Sequence, residues 1–240
     1  MSRGIGVTEG LRETVPEWAL EGFVGLSLLG DLAFIVPVLG LLYLTDVGWT
    51  IARDTEEKPL CSNRTVSFIA AVFGGLALVV FLKGVFAFPR PPAELHVISP
   101  SEHGFPSGHA MSATIFWGGF ALWSSVRTRP SRFALAGTVV MLVSLSRLVL
   151  GVHFLVDVVA SVLFGVVYLL VIHRVARGRP TRAFAVAIAI ATLAVLATEA
   201  SSRAVVALTG SVVAAIGWYF VELPAVRRQL IEVARRAETK

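Results

Sequence analysis

A chain of 240 residues with 55% hydrophobic and 15% charged residues, and a mean hydropathy of +0.77, carries too little polar surface for a soluble domain of its size. One cysteine, Cys61, excludes an intramolecular disulfide and argues against a thiol-ligated metal cluster. The formal charge of +5 is no nucleic-acid footprint, because the cations sit mainly in short segments between apolar runs, as membrane topology requires.

Seven apolar runs follow one another at about 20–44, 65–88, 108–126, 132–150, 154–173, 183–198 and 203–221. A bilayer-crossing helix needs roughly 17–25 such residues, so the expected fold is an all-α polytopic transmembrane bundle of about six to seven spans. Residues 1–19 carry Arg3, Glu9, Arg12, Glu13 and Glu17 and read as a polar segment at the interface, anchored by Trp18. The span-bearing region is expected over 20–222 and a basic tail over 223–240. Trp49, Trp218 and Tyr219 fall near run ends, where amphipathic rings settle at headgroups. Small residues four apart, Ser161 with Gly165 and Gly210 with Ala214, are weak signals of close helix approach.

The segments after the first, third, fifth and seventh runs hold fifteen of the 21 lysines and arginines. The positive-inside tendency places these segments in the cytoplasm. The N-terminus and the segments around 89–107 and 150–154 then face outward.

Ionisable groups within or beside apolar spans cost a few kcal/mol each and are usually functional. Lys83 lies near the end of the second run, Arg147 near the end of the fourth and Asp157 near the start of the fifth. Arg90, the stretch Phe105-Pro106-Ser107-Gly108-His109, and Ser146 through Asp157 belong to the same outer face. Taken singly, the three cations read as snorkelling anchors. Gathered with His109, His153 and Asp157 at one level of an otherwise uncharged bundle, they read as an anion site.

His153 and Asp157 are four apart, and on a helix they would share a face about 6 Å apart. The carboxylate can then fix the ring tautomer and leave the other nitrogen as a nucleophile. Ser107-Gly108 opens the third run after Pro106, so the first N–H groups of that helix can cradle phosphate oxygens. The Ser107 hydroxyl adds a donor, and Gly108 allows close approach to the backbone. Arg90 and Arg147 can make paired hydrogen bonds to phosphate, Lys83 supplies a compact charge, and His109 can protonate a departing oxygen.

Lys83-x6-Arg90-Pro91, then Pro106-Ser107-Gly108-His109, then Ser146-Arg147-x5-His153-x3-Asp157 together resemble the three-part signature of the type 2 phosphatidic acid phosphatase superfamily, complete at every signature position across residues 83–157. The resemblance implies a metal-independent phosphatase with no cofactor. It makes His153 the nucleophile, Asp157 its orienting partner and His109 the general acid, with Lys83, Arg90, Ser107, Gly108 and Arg147 holding the phosphoryl group. It implies a lipid phosphate or diphosphate as substrate: phosphatidate, phosphatidylglycerophosphate or an isoprenoid diphosphate. A lipid phosphotransferase, passing the group to an alcohol, would use the same residues. The chain departs from the six-span pattern, with one clear span before the first motif and two after the fifth run. His96, His103 and His173 take no motif role. Asp31, inside the first run, is expected to bond a neighbouring helix and is given no catalytic part.

Overall fold

A computed structural model describes residues 4–53, 59–100 and 103–238. Arg3, Lys58 and Lys240, which entered the charge reading, lie outside these. The described residues form helices α1 (Ile5–Thr14), α2 (Glu17–Ser27), α3 (Leu32–Ala52), α4 (Asn63–Phe86), α5 (Gly108–Trp123), α6 (Arg129–Val149), α7 (Leu155–Ala176), α8 (Pro180–Ala197), α9 (Ser202–Val221) and α10 (Pro224–Glu238). Six of them, α3, α4 and α6 to α9, are long and apolar enough to cross a membrane. The all-helical, multi-pass architecture is therefore the one expected.

The first apolar run is not one helix. A single 3-10 turn, Leu28–Gly30, separates α2 from α3, and Asp31 caps α3 by accepting a hydrogen bond from the Ala33 N–H at 2.8 Å. Hydropathy passed over this break because the residues on both sides are apolar. Helix α3 also runs past residue 44 to Ala52, and its Asp46 carboxylate accepts from the N–H of Ser62, the N-cap of α4, at 2.9 Å. At the same end, Glu222 accepts from the N–H groups of Leu60 and Cys61.

Lipid offers helices no hydrophobic incentive to associate, so close backbone packing must do the work. Helix α8 turns Ala183, Ala187, Ala191 and Ala194, all fully buried, into one small-residue face, and Ala187 meets α4 at Gly74. Ser161 and Gly165 lie where α7 meets α5, Gly165 sitting against Thr114. At sixteen residues α5 is about 24 Å long. It runs beside α7 from the level of Asp157, whose carbonyl accepts from the Ser107 N–H, to that of His173, whose ring meets Trp123 edge-on at 5.1 Å.

The helices alternate in direction. Arg53, Arg64, Arg127, Arg129, Arg132, Arg174, Arg177, Arg179 and Arg182 therefore collect at one end of the bundle, hereafter the basic end. Lys83, Arg90, Arg147 and Arg203 collect at the other, the motif end. Helix α1 folds onto the motif end, where Leu11 packs with Ala110, Leu148 and Val158.

Candidate active site

Three segments converge at the motif end. Helix α4 ends with Lys83 in its last turn, and residues 87–100 then cross to the turn between α6 and α7. Val97 N–H donates to the Leu150 carbonyl at 3.1 Å, and Leu95 packs against Gly151. Gly151 has φ +71°, and a Cβ there would collide with the Leu95 carbonyl, so the turn that presents His153 needs glycine on both counts. Arg90, on the crossing segment, donates from Nη1 to the Val152 carbonyl at 2.6 Å and lies 3.2 Å from Nε2 of His153.

His153 is not on α7, as its spacing from Asp157 had implied. It lies in the turn before the helix, 1% exposed, and Asp157 is the third residue of α7, fully buried. Asp157 Oδ2 accepts from the Phe154 N–H at 3.0 Å and stands 3.4 Å from His153 Nδ1. The pairing is thus set by a helix N-terminal turn and not by a helical face. A guanidinium can only donate, so Nε2 presents its lone pair to Arg90 while Nδ1 carries the hydrogen toward Asp157. Burial, reinforced by the charges of Arg90, Arg147 and Lys83, holds the imidazole well below its ordinary pKa, so the ring is neutral at pH 7. Burial also lowers Arg90 from its ordinary value to about 10, which leaves it a cation at neutral pH.

The donors around this ring are poised for an anion. Arg147 is 3% exposed, and its Nε and Nη1 atoms are buried with no hydrogen-bond partner among the described residues. The Ser107 hydroxyl, fully buried at the N-cap of α5, is likewise unpartnered. Buried polar groups are normally paired, so these three donors are available to the oxygens of an anion. The Ser107 N–H is spent on the Asp157 carbonyl at 3.3 Å, so the helix-terminal donors begin at Gly108. A Cβ on Gly108 would meet Lys83 Cε at 3.5 Å, an ordinary contact. Packing therefore does not demand glycine here. Lys83 Nζ donates to the His103 carbonyl at 2.8 Å.

His109, in the first turn of α5, has a partner the sequence did not reveal as functional. Its Nε2 lies 3.1 Å from Asp31 Oδ2, with the two side chains 29% and 33% exposed. All eight motif residues thus come to one end of the bundle, and Asp31 joins them. No group of three or more metal-ligating side chains occurs among the described residues.

Known proteins resemble this chain in sequence and in fold. The family model described as the PAP2 superfamily matches residues 64–180, a stretch that contains all three motifs. The chain belongs to the PAP2 superfamily. Phosphatidylglycerophosphatase B of Bacillus subtilis (strain 168) is 26% identical to this PAP2 chain over 154 residues, covering 62% of the chain and 70% of that protein. A crystal structure of a transmembrane PAP2-type phosphatidylglycerolphosphate phosphatase from Bacillus subtilis matches with a TM-score of 0.61 and 22% identity. That match covers 72% of this chain and 84% of the solved one, and it extends the likeness to the fold.

Proposed function

We propose that this membrane phosphatase hydrolyses a lipid phosphate monoester or diphosphate of the phosphatidate, phosphatidylglycerophosphate or isoprenoid diphosphate class, through a phosphohistidine on His153. The observation that carries the reading is a buried neutral imidazole facing Arg90 and flanked by unpartnered buried donors on Arg147 and Ser107. Likeness to phosphatidylglycerophosphatase B makes a glycerophospholipid phosphate the first substrate to try.

In this mechanism Arg90 moves off Nε2 onto a phosphoryl oxygen, and the Nε2 lone pair attacks phosphorus in line. Lys83, Arg90, Arg147, the Ser107 hydroxyl and the first N–H groups of α5 hold the equatorial oxygens, the electrostatic positioning that dominates phosphoryl transfer. As the P–N bond forms, the bond to the leaving oxygen breaks and His109 supplies that oxygen's proton. Asp157 stabilises the positive ring through Nδ1–H. Water, giving a proton back to His109, then displaces the imidazole and releases phosphate.

A lipid route fits the surroundings. Phe86, Phe88, Phe105 and Phe164 form an aromatic cluster beside the motif end, with Phe86 and Phe105 edge to face at 5.0 Å. Val85, Phe88, Val156 and Val159 leave apolar surface exposed nearby. By the positive-inside tendency the basic end is cytoplasmic, so the site opens on the outer leaflet.

The test is phosphate release by purified protein in detergent, across a panel of lipid phosphates and diphosphates, with and without EDTA. Turnover that survives the chelator and vanishes in His153→Ala supports the reading. A folded His153→Ala variant with substantial residual activity, or strict dependence on a divalent ion, contradicts it.

A further inference from the structure

Resting on that reading, we infer that Asp31 is a positioning residue for the general acid, holding His109 as Asp157 holds His153. Its Oδ2 stands 3.1 Å from His109 Nε2, while Oδ1 accepts the Ala33 N–H at 2.8 Å. One carboxylate therefore caps α3 with one oxygen and addresses the imidazole with the other.

The carboxylate is held in place from several directions. The Asp31 N–H donates to the Leu28 carbonyl at 2.9 Å, closing the 3-10 turn. Trp117 of α5 donates its indole N–H to the Leu29 carbonyl at 3.0 Å. Gly30 packs directly against the His109 carbonyl, where any Cβ would clash. Phe34, one turn into α3, stacks on Trp117 at 6.2 Å between centroids. The turn 28–31 is thus fastened to α5 at His109 and again, about two turns further along, at Trp117. Residues 28–31 lie outside the 64–180 stretch that matches the family model, so this contact is supplied by the flanking N-terminal part of the chain.

The chemistry follows from which ring nitrogen is occupied. With Nε2–H directed at Asp31, Nδ1 is the atom that exchanges a proton with the leaving oxygen. In the first half-reaction the P–O electron pair departs with that oxygen and the Nδ1 proton goes to it. In the second, a water proton returns to Nδ1 as the new P–O bond forms and the P–N pair reverts to His153. Asp31 keeps its charge throughout and stabilises the ring in its protonated form, an orienting role like that of the buried acid in a serine-hydrolase triad. The other charged and titratable groups acting on His109 are Arg147 from α6, Lys83 from α4 and His153 from the α6–α7 turn.

Asp31→Asn tests this. Asparagine can keep an oxygen for the Ala33 N–H, but it loses the charge and offers an N–H to Nε2, favouring the wrong tautomer. With a lipid phosphate the expected kcat falls about 100-fold at little change in KM, and the basic limb of the pH profile moves to lower pH. With p-nitrophenyl phosphate, whose leaving group departs without a proton, the pre-steady-state burst of nitrophenolate keeps close to its wild-type rate. If the asparagine variant does not fold, Asp31→Ser, which also keeps a capping oxygen, gives the same comparison. A variant within twofold of wild type on the lipid, or equal losses on both substrates with an unmoved pH limb, would overturn the assignment. A wild type that releases no phosphate from any substrate would instead sink the phosphatase reading itself, before Asp31 is in question.

Discussion

Arg147→Ala separates binding chemistry from fold more sharply than any other single change. Arg147 is 3% exposed, yet its Nε and Nη1 meet no acceptor among the described residues. Two charge-assisted hydrogen bonds to a phosphoryl group contribute about 1.5–3 kcal/mol each. With water entering the truncated site, the combined loss is about 3–4 kcal/mol, or about 10²–10³ in kcat/KM at 1.36 kcal/mol per tenfold. Stability should respond differently. A buried charge without full pairing stabilises a fold weakly or not at all, so removing it offsets much of the loss from the space it leaves. The expected result is a Tm within a few degrees of wild type beside a large fall in turnover. Arg147→Lys should fall between, because lysine keeps the charge and loses the paired geometry. The assay is initial-rate phosphate release in detergent, paired with thermal unfolding of the same preparations and with inhibition by inorganic phosphate, which should weaken in parallel. Arg147→Ala activity within threefold of wild type would refute the reasoning. So would a rate loss that merely tracks a collapse in Tm.

Two further perturbations reach other parts of the site. In the proposed mechanism His153 attacks only when neutral, and its depressed pKa means that it stays neutral as pH falls through 6.5, so the acid limb due to this group is expected below that value. Arg90→Gln removes a cation that opposes imidazolium, which raises the His153 pKa and moves the acid limb upward; comparing both enzymes on one substrate cancels the substrate's own ionisation. An acid limb that stays fixed would remove Arg90 from the electrostatics of the nucleophile. Thr8 of α1, fully buried, donates its hydroxyl to the His153 carbonyl at 3.0 Å. Thr8→Val should lower stability by about 1 kcal/mol and loosen the catalytic turn, seen as lower Tm and a modest fall in kcat; no change in either would make α1 a bystander.

The spacing of charges within apolar runs was enough to bring Lys83, Arg90, Ser107, Gly108, His109, Arg147, His153 and Asp157 to one end of an all-helical bundle. An even alternation of spans leaves helix ends few alternatives, and isolated ionisable groups at those ends are conspicuous. The proximity of His153 and Asp157 was read for a different geometric reason, since i and i+4 are close both on a helix and across its entry turn. What escaped the sequence was the break at residues 28–31. Leu28, Leu29 and Gly30 are apolar, so averaged hydropathy runs through them, and Asp31 looks like a lone polar defect inside a span. Only the tertiary approach of Gly30 to the His109 carbonyl and the Trp117 bond to Leu29 turn that defect into an ordered partner for a motif histidine. The descent of α1 onto the His153 carbonyl was hidden for the same reason. Thr8 sits in a polar, mixed-charge segment whose local pattern says interface, and its hydrogen bond spans 145 residues.

The covalent step is open to direct measurement. Purified protein mixed with a ³²P-labelled lipid phosphate and quenched in base within milliseconds should carry a base-stable, acid-labile label that maps to the peptide containing His153. With labelled p-nitrophenyl phosphate, whose leaving group needs no proton, His109→Ala should accumulate more of this species, and His153→Ala none. Full turnover with no label trapped in either the wild type or His109→Ala, or label retained in His153→Ala, would contradict a phosphohistidine at this residue.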